Sequence, residues 1–397
     1  MSKLDQNIYI VAPLRTPIGK FGGGLSSLTA ADLGVHVAKA TLARSGIDPA
    51  AVDEAIFGNA RQAGVGPNVA RQIAMRSGLR QETPAYTVNQ ACGSGLRAMM
   101  NAADQIRLGQ ASVVLAGGTE SMSNTPYMLP RARWGHRMGD AEIVDGMYRD
   151  GFMCPIAEEL MGATAETLAD RYRIARNEQD EYAVESQRRT KRAYDNEWFR
   201  DEIAPISIDG KKGATVIDRD EHPRFDATVE GMAKLAAVFR KDGTVHAGNS
   251  SGITDGAASM IVASEASVER HALKPIARLI GYAQAGVDPK IMGIGPVPAT
   301  RRLFDEVGMT MADIDLVELN EAFAAQVLAC GRDLGMDRDR LNVHGGAIAL
   351  GHPIGCTGAR IVTTLAYALR THDKTIGLAT LCISGGMGIA ALFERVV

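Results

Sequence analysis

The sequence predicts an α/β protein of two similar halves, with a separate segment set into the first, and three observations carry that expectation. The ends of the chain repeat: Gly46 to Asp53 before the apolar Ala55-Ile56-Phe57 matches Gly308 to Asp315 before Leu316-Val317, and Gly95-Leu96-Arg97-Ala98 matches Gly358-Ala359-Arg360-Ile361 at almost the same separation. Each of these helical patterns then yields to a buried-strand run that ends in glycines, Val113 to Gly118 in one half and Ile376 to Leu381 before Gly385-Gly386 in the other. Residues from about 122 to 250 fall outside the repeat and are more polar. Strands alternating with helices of about a dozen residues argue for βα units and a mainly parallel sheet in each half. The boundaries read as 1–121 with 251–273 for the first half, 122–250 for the inserted segment and 274–397 for the second half.

Composition bounds the function. The chain has 397 residues, 46% hydrophobic and 22% charged, enough for a sizeable core and unlike disordered or collagenous chains. With 43 Lys+Arg against 46 Asp+Glu the formal charge is −3, so there is no basic field for a nucleic-acid backbone, and an anionic ligand has to be met locally. Cys92, Cys154, Cys330, Cys356 and Cys382 are an odd number without the close spacing of a zinc or redox clip, which points to a reduced setting and no metal. The opening Met1 to Val11 runs into a strand-like pattern without an apolar or Arg-rich leader, and no stretch approaches the ~20 apolar residues of a membrane span. A cytoplasmic protein with no membrane partner is expected.

In chain order, Val88-Asn89-Gln90-Ala91-Cys92-Gly93-Ser94-Gly95 precedes a helix whose apolar Leu96, Met99, Met100, Ala103 and Ile106 fall at spacings of three and four. Cys92 therefore sits just before a helix N-terminus, where free N–H groups and the dipole favour a thiolate and the glycines let a substrate approach. A cysteine in a core is ordinarily a small hydrophobe; the Gly-Ser-Gly flank turns the reading toward a nucleophile. In the inserted segment, Asn177 with Asp180 three residues on reads as the cap of a long charged helix.

Asn320-Glu321-Ala322-Phe323-Ala324 follows the strand Leu316 to Leu319 and puts an amide where α/β sites lie; as a helix N-cap Asn320 fits equally well. Asn342 to Gly358 holds His344 and His352 in a glycine-rich turn that is, in the repeat, the equivalent of the Cys92 turn. If the two turns face each other, His352 can act as general base toward Cys92, while His344 reads as structural or solvent-facing. Cys382 closes the last buried-strand run before Ile383-Ser384-Gly385-Gly386, whose N–H groups could point into the same cleft.

Together these motifs resemble the thiolase family, the acetyl-CoA C-acyltransferases and acetyltransferases, over essentially the whole chain. Asn89 to Gly95 is similar to its acyl-enzyme motif, Asn320 to Ala324 to its Asn-Glu-Ala-Phe motif, Gly345 to Pro353 to its Gly-His-Pro motif and Leu381-Cys382 to its closing cysteine motif, all in family order. The resemblance implies two αβαβα halves with a loop domain in the first. It implies ping-pong transfer between 3-ketoacyl-CoA and CoA, with Cys92 taking the acyl group, His352 activating it and Cys382 exchanging the α-proton of acetyl-CoA. Asn320 would fix a water that, with His352, forms one oxyanion hole; the N–H groups of Cys92 and Ser384 would form the other. Arg224, Phe239 and Ser251 match CoA-contacting positions, and Met161, Met292 and Phe323 pocket-lining ones. Coenzyme A is then a substrate and no cofactor is tightly bound. A homodimer, or a tetramer associating through Arg131 to Gly151, is also implied. Two residues depart from the family: Leu160 stands where acetoacetyl-CoA-forming members carry histidine, and Ser384 where glycine is usual.

Three other readings compete. Gly248-Asn249-Ser250-Ser251-Gly252 fits the Gly-x-Ser-x-Gly elbow of a hydrolase, but strand-like Ala258 to Val262 follows where a helix is needed. A decarboxylating ketosynthase usually has histidine or asparagine in place of Cys382. A non-catalytic CoA-binding scaffold is the third.

Overall fold

A computed structural model describes residues 6–210 and 213–397; the lead-in at residues 1–5 lies outside the described residues. Nine strands build the main sheet: β1 (Ile8–Arg15), β2 (Glu54–Gly58), β3 (Ala85–Val88), β4 (Val113–Ser121), β5 (Thr254–Ser264), β6 (Pro275–Gly286), β7 (Leu316–Leu319), β8 (Ile376–Ile383) and β9 (Met387–Arg395). Their order is β7-β8-β9-β6-β1-β5-β4-β2-β3, and the short Gly19–Lys20 pairs with β5 as a tenth strand. The first half thus occupies one side and the second half the other, joined where β1 pairs with β6.

The expectation of a mainly parallel sheet is corrected. Only β2 with β3, β2 with β4 and β7 with β8 run parallel. The pairs β4/β5, β5/β1, β1/β6, β6/β9 and β9/β8 are antiparallel. Each half closes its βα units with a returning strand. For β9 the reason is in the chain: only Ser384, Gly385 and Gly386 separate it from β8, and so short a connection can make only an antiparallel neighbour.

The main helices are α1 (Ala30–Ser45), α2 (Val69–Arg76), α3 (Ser94–Arg107), α4 (Met161–Tyr172), α5 (Arg176–Asp195), α6 (Pro296–Val307), α7 (Ala324–Leu334) and α8 (Ile354–Thr371). Helices α3 and α8 form the central layer, sharing one core with strands from both halves. Outside them, α1 and α2 cover the first half and α6 and α7 the second. The two repeated glycines meet at the crossing of α3 and α8: a Cβ on Gly95 would lie 2.7 Å from the Ala359 nitrogen, and one on Gly358 2.2 Å from that of Leu96. Only glycine lets the two backbones approach this closely, and that approach sets the start of α3, with Cys92, against the start of α8, with His352.

The segment between β4 and β5 carries α4, α5 and a hairpin of Ile206–Gly210 with Gly213–Ile217. It is tied to β1 by the buried Arg15, whose Nε meets Glu202 at 2.5 Å and whose Nη atoms meet Asp220 at 2.7 and 3.0 Å. Helix α5 starts at Arg176 with Ala175 at the cap position and no side-chain cap bond, so Asn177 is not the cap. Asp180 is drawn elsewhere, accepting from Asn249 Nδ2 at 3.0 Å and pairing with His246 Nε2 at 2.7 Å. No helix among the described residues is long and apolar enough to cross a membrane.

Candidate active site

The turn that presents Cys92 is held by its neighbours. Asn89 Oδ1 accepts from the Ala91 nitrogen at 3.0 Å, while Ser94 Oγ accepts from that of Gln90 at 2.9 Å and donates to the Ala91 carbonyl at 2.6 Å. Ala91 is thereby fixed at φ 45°, a left-handed conformation that costs an alanine about 1 kcal/mol. Cys92 is buried. Burial pushes its thiol above the ordinary value, and the charge of Arg61 and the N–H groups of Ser384 and Cys92 itself pull it back in part. The helix terminus therefore does not by itself produce a thiolate, and the sulfur needs a base.

His352 is the candidate. It lies just before α8, and its Nδ1 is 2.6 Å from Thr357 Oγ1, whose own hydrogen goes to the Pro353 carbonyl at 3.0 Å. With that hydroxyl acting as donor elsewhere, the pattern assigns the ring hydrogen to Nδ1 and leaves a lone pair on Nε2. Nε2 is 3.4 Å from Asn320 Nδ2. Burial, aided by the charges of Arg360 and Arg61, holds the ring down to about 3, so it is neutral at physiological pH.

Asn320 is not a helix cap, since α7 begins at Ala324 behind Phe323. Its N–H bonds the Thr380 carbonyl at 3.0 Å, and its buried Oδ1 has no partner among the described residues. The next residue, Glu321, is a tie: it accepts from Tyr182 and Ser186 hydroxyls at 2.7 Å, Asn342 Nδ2 at 2.9 Å and the Ile348 nitrogen at 3.0 Å, binding this motif to the histidine loop. Cys382, next to last in β8, is fully buried in a cluster with Met292 and Ala322 against which Met161 and Phe323 pack. Burial raises its thiol well above the ordinary value and the neighbouring Cys92 raises it further.

Ser384 is outside the left-handed region; Gly385 and Gly386, at φ 86° and 87°, take the turn instead. The serine in place of the family's glycine thus carries no backbone strain, and its N–H lies near the Cys92 sulfur.

Two cavities flank this constellation. One, of about 290 Å³, is lined by Cys92, Ser384, Met161, Ile354, Met153 and Arg61 among others. The other, of about 210 Å³, has Arg224 on its wall with Gln187, His222, Met232 and Leu235. Phe239 is on neither lining and stands edge-on to Phe323 at 6.2 Å, and the Ser251 nitrogen bonds the Ala322 carbonyl at 3.0 Å. Leu160 caps α4 half-buried and is on neither lining.

The sequence missed two residues, Thr357 and Arg61. A hydroxyl in the first turn of the helix after His-Pro was the available signal for the first. An arginine directly beyond the buried Ala55-Ile56-Phe57 strand was the signal for the second.

The hydrolase reading is corrected. Ser250 Oγ donates to the His246 carbonyl at 2.8 Å, and strand β5, not a helix, comes next. His344 is buried, 3.0 Å from His372 Nε2 and stacked on Trp198, so it is structural and not solvent-facing.

Fold and site define an acyl-transfer enzyme, and comparison places it: residues 8–266 match the family model "Thiolase, N-terminal domain" and residues 273–395 "Thiolase, C-terminal domain". The chain belongs to the thiolase family and is an acyltransferase. It is 49% identical to an acetyl-CoA acetyltransferase of Escherichia coli over 98% of this chain and 99% of that one. It is 48% identical to one of Cupriavidus necator over 98% and 99%. Among solved structures it is similar to the Bacillus anthracis acetyl-CoA acetyltransferase, with a TM-score of 0.96, 45% identity and coverage of 98% and 99%. The human mitochondrial 3-ketoacyl-CoA thiolase in complex with CoA gives 0.96, 43% and full coverage of both chains.

Proposed function

We propose that the chain interconverts a 3-ketoacyl-CoA plus CoA with acetyl-CoA plus a shortened acyl-CoA through an acyl-Cys92 intermediate. The observation that carries this is the close crossing that sets the Cys92 and His352 turns against each other, with Thr357 holding the imidazole so that Nε2 bears the lone pair. In the cleavage direction Nε2 takes the Cys92 proton as sulfur attacks the 3-keto carbon. The bond between the second and third carbons breaks, and Cys382 protonates the departing acetyl-CoA carbanion. CoA then gives its thiol proton to Cys382 and attacks the acyl-Cys92 thioester, and His352 returns its proton to Cys92.

The N–H groups of Cys92 and Ser384 hold the oxyanion on the acyl-enzyme side; Asn320, whose Oδ1 is free, holds a water beside His352 on the acetyl-CoA side. We assign the CoA nucleotide to the cavity of Arg224, with Ser251 and Phe239 along the path inward and Met161, Met292 and Phe323 around the reacting carbons. The segment 122–250 then serves as the CoA-binding loop domain between halves of 1–121 with 251–273 and 274–397. CoA enters as a substrate, with no tightly bound cofactor.

A homodimer paired along the edge strand β3, and a tetramer through the segment that exposes Trp134, Met138 and Ile143, fit the surface. Five free, buried cysteines fit a reduced cytoplasm. Thiolysis of acetoacetyl-CoA by free CoA, lost in Cys92→Ser, is the test; a protein that binds CoA without turnover would be a scaffold.

A further inference from the structure

Position 318 differs between the two halves in a way the fold does not require. Asp53 Oδ2 accepts from the nitrogens of Ser112 and Val113 at 2.7 and 2.9 Å, and Asp315 Oδ2 from those of Thr375 and Ile376 at 3.0 and 2.9 Å, so β2 and β7 start in the same register. Three residues on, Ile56 pairs with Ala116 and Glu318 with Ala379. Ile56 is fully buried in the core; at the same place the second half buries a carboxyl, 2% exposed. Its partner is Arg360 of α8, 1% exposed, whose Nη1 donates to Glu318 Oε2 at 3.1 Å. That single bond leaves Glu318 Oε1 and Arg360 Nε and Nη2 without a partner among the described residues, so stability does not account for two buried charges where isoleucine serves. The pair lies next to the base along both elements. Glu318 and Asn320, two apart on one strand, share a face, and Asn320 Nδ2 is 3.4 Å from the His352 ring. Thr357 and Arg360, three apart on α8, are neighbours on the helix, and Thr357 is 2.6 Å from the same ring. Neither Glu318 nor Arg360 is on the lining of the Cys92 cavity or of the Arg224 cavity, so the pair reaches a substrate only through His352.

We propose that Glu318 is a positioning residue of the acylation step: its carboxylate cancels the charge of Arg360 and so permits the imidazolium that forms on His352. In that step Cys92 gives its proton to Nε2, its sulfur bonds the acyl carbon, and the bond to the CoA sulfur breaks as that sulfur takes the proton of Cys382. The cations that disfavour a charged His352 are Arg360 and Arg61. Arg61 has the Glu120 carboxyl near it, and Arg360 has Glu318. Burial lifts the Glu318 carboxyl to about 8, with Arg360 opposing and Glu321 and Glu202 adding to the rise. The cancelling charge is therefore present above that pH and lost as pH falls through it, which makes His352 the stronger base on the alkaline side. This rests on the acyl-Cys92 reading and adds how the base comes to bear its charge.

The test is the single-turnover rate at which acetyl-CoA labels Cys92 of the full chain, read by rapid quench and peptide mass at pH 6 and pH 9. Glu318→Gln, which cannot ionise, should match the wild-type rate at pH 6 and fall about tenfold behind it at pH 9, with CoA affinity unchanged at both. Glu318→Gln combined with Arg360→Met removes both charges and should regain the wild-type rate at pH 9; a packing role would leave this double variant slower than Glu318→Gln. Should Glu318→Gln alone not fold, the double variant decides: it should outpace the wild-type chain at pH 6, where the wild-type Arg360 stands uncancelled, and equal or slower labelling there overturns the proposal. A ratio of wild type to Glu318→Gln that is the same at both pH values also overturns it. So does loss of the fold in both variants, judged by melting temperature, since the pair would then be a scaffold. No label on Cys92 in the wild-type chain would sink the acyl-transfer reading itself, whereas a labelled wild type without the gap at pH 9 sinks this inference alone.

Discussion

Asn320 Nδ2 lies 3.4 Å from His352 Nε2, the ring nitrogen that Thr357 leaves without a hydrogen. The contact orders the one face of the imidazole that can take a proton, and Asn320 Oδ1, without a partner, points to a further polar ligand there. Asn320→Ala should lower kcat for thiolysis by about 10² to 10³, the usual effect of losing an oxyanion donor. The melting temperature checks that the variant is folded. A decrease within threefold would remove Asn320 from the site.

Thr357 is a positioning residue, acting only through the ring. Thr357→Val keeps the shape but deletes the oxygen that accepts from Nδ1, freeing the ring to carry its hydrogen on Nε2. Activity should fall by about tenfold or more, the scale on which an outer-shell partner acts, and Thr357→Ser should restore it. A purely packing role would show the reverse order, with Val tolerated and Ser not.

The pH dependence has a definite sign. Because burial holds His352 down to about 3, it is already neutral at pH 5, and no rise in activity between pH 5 and 7 should come from its deprotonation. Burial moves the Cys92 thiol the other way, so in the free protein its alkylation by iodoacetamide should go on rising beyond the ordinary thiol range. A plateau of alkylation near neutral pH would mean a preformed thiolate and a different activation.

At the turn after β8, Ser384→Gly should change kcat/KM by less than about tenfold, because the serine's backbone is unstrained and its N–H is unaffected. Ser384→Pro should nearly abolish activity through loss of that N–H. A hundredfold gain in the glycine variant would show an impaired oxyanion hole in the natural chain.

How much of this was legible in the sequence follows from where each signal lies. The repeated Gly95 and Gly358 disclosed the duplication, and they turn out to be the point where the halves touch, so a local pattern carried long-range information. The motif residues Asn89, Cys92, Asn320, His352 and Cys382 could be picked out because each sits in a glycine-marked turn or at a strand end. Strand direction was not legible from periodicity, which is the same for parallel and antiparallel strands when both faces are buried, and the expectation of a mainly parallel sheet passed over the short Ser384-Gly385-Gly386 link before β9. The Asn177 cap failed because Asp180 had a tertiary partner in His246 that no local rule reveals. Arg61 was invisible for a related reason: its charge acts on Cys92, Glu120 and His352, which are distant in the sequence.

The central claim is that the acyl group passes through Cys92. Incubating the protein with acetyl-CoA in the absence of free CoA and mapping the acetyl group by peptide mass spectrometry tests it most directly. One acetyl group on Cys92 is expected in the wild-type chain and none in Cys92→Ser, while Cys382→Ala, which lacks the proton donor to the leaving CoA sulfur, should acquire the same label more slowly. An acetyl group carried by another residue in the wild-type chain, or a labelled Cys92→Ser protein that still turns over, would contradict it.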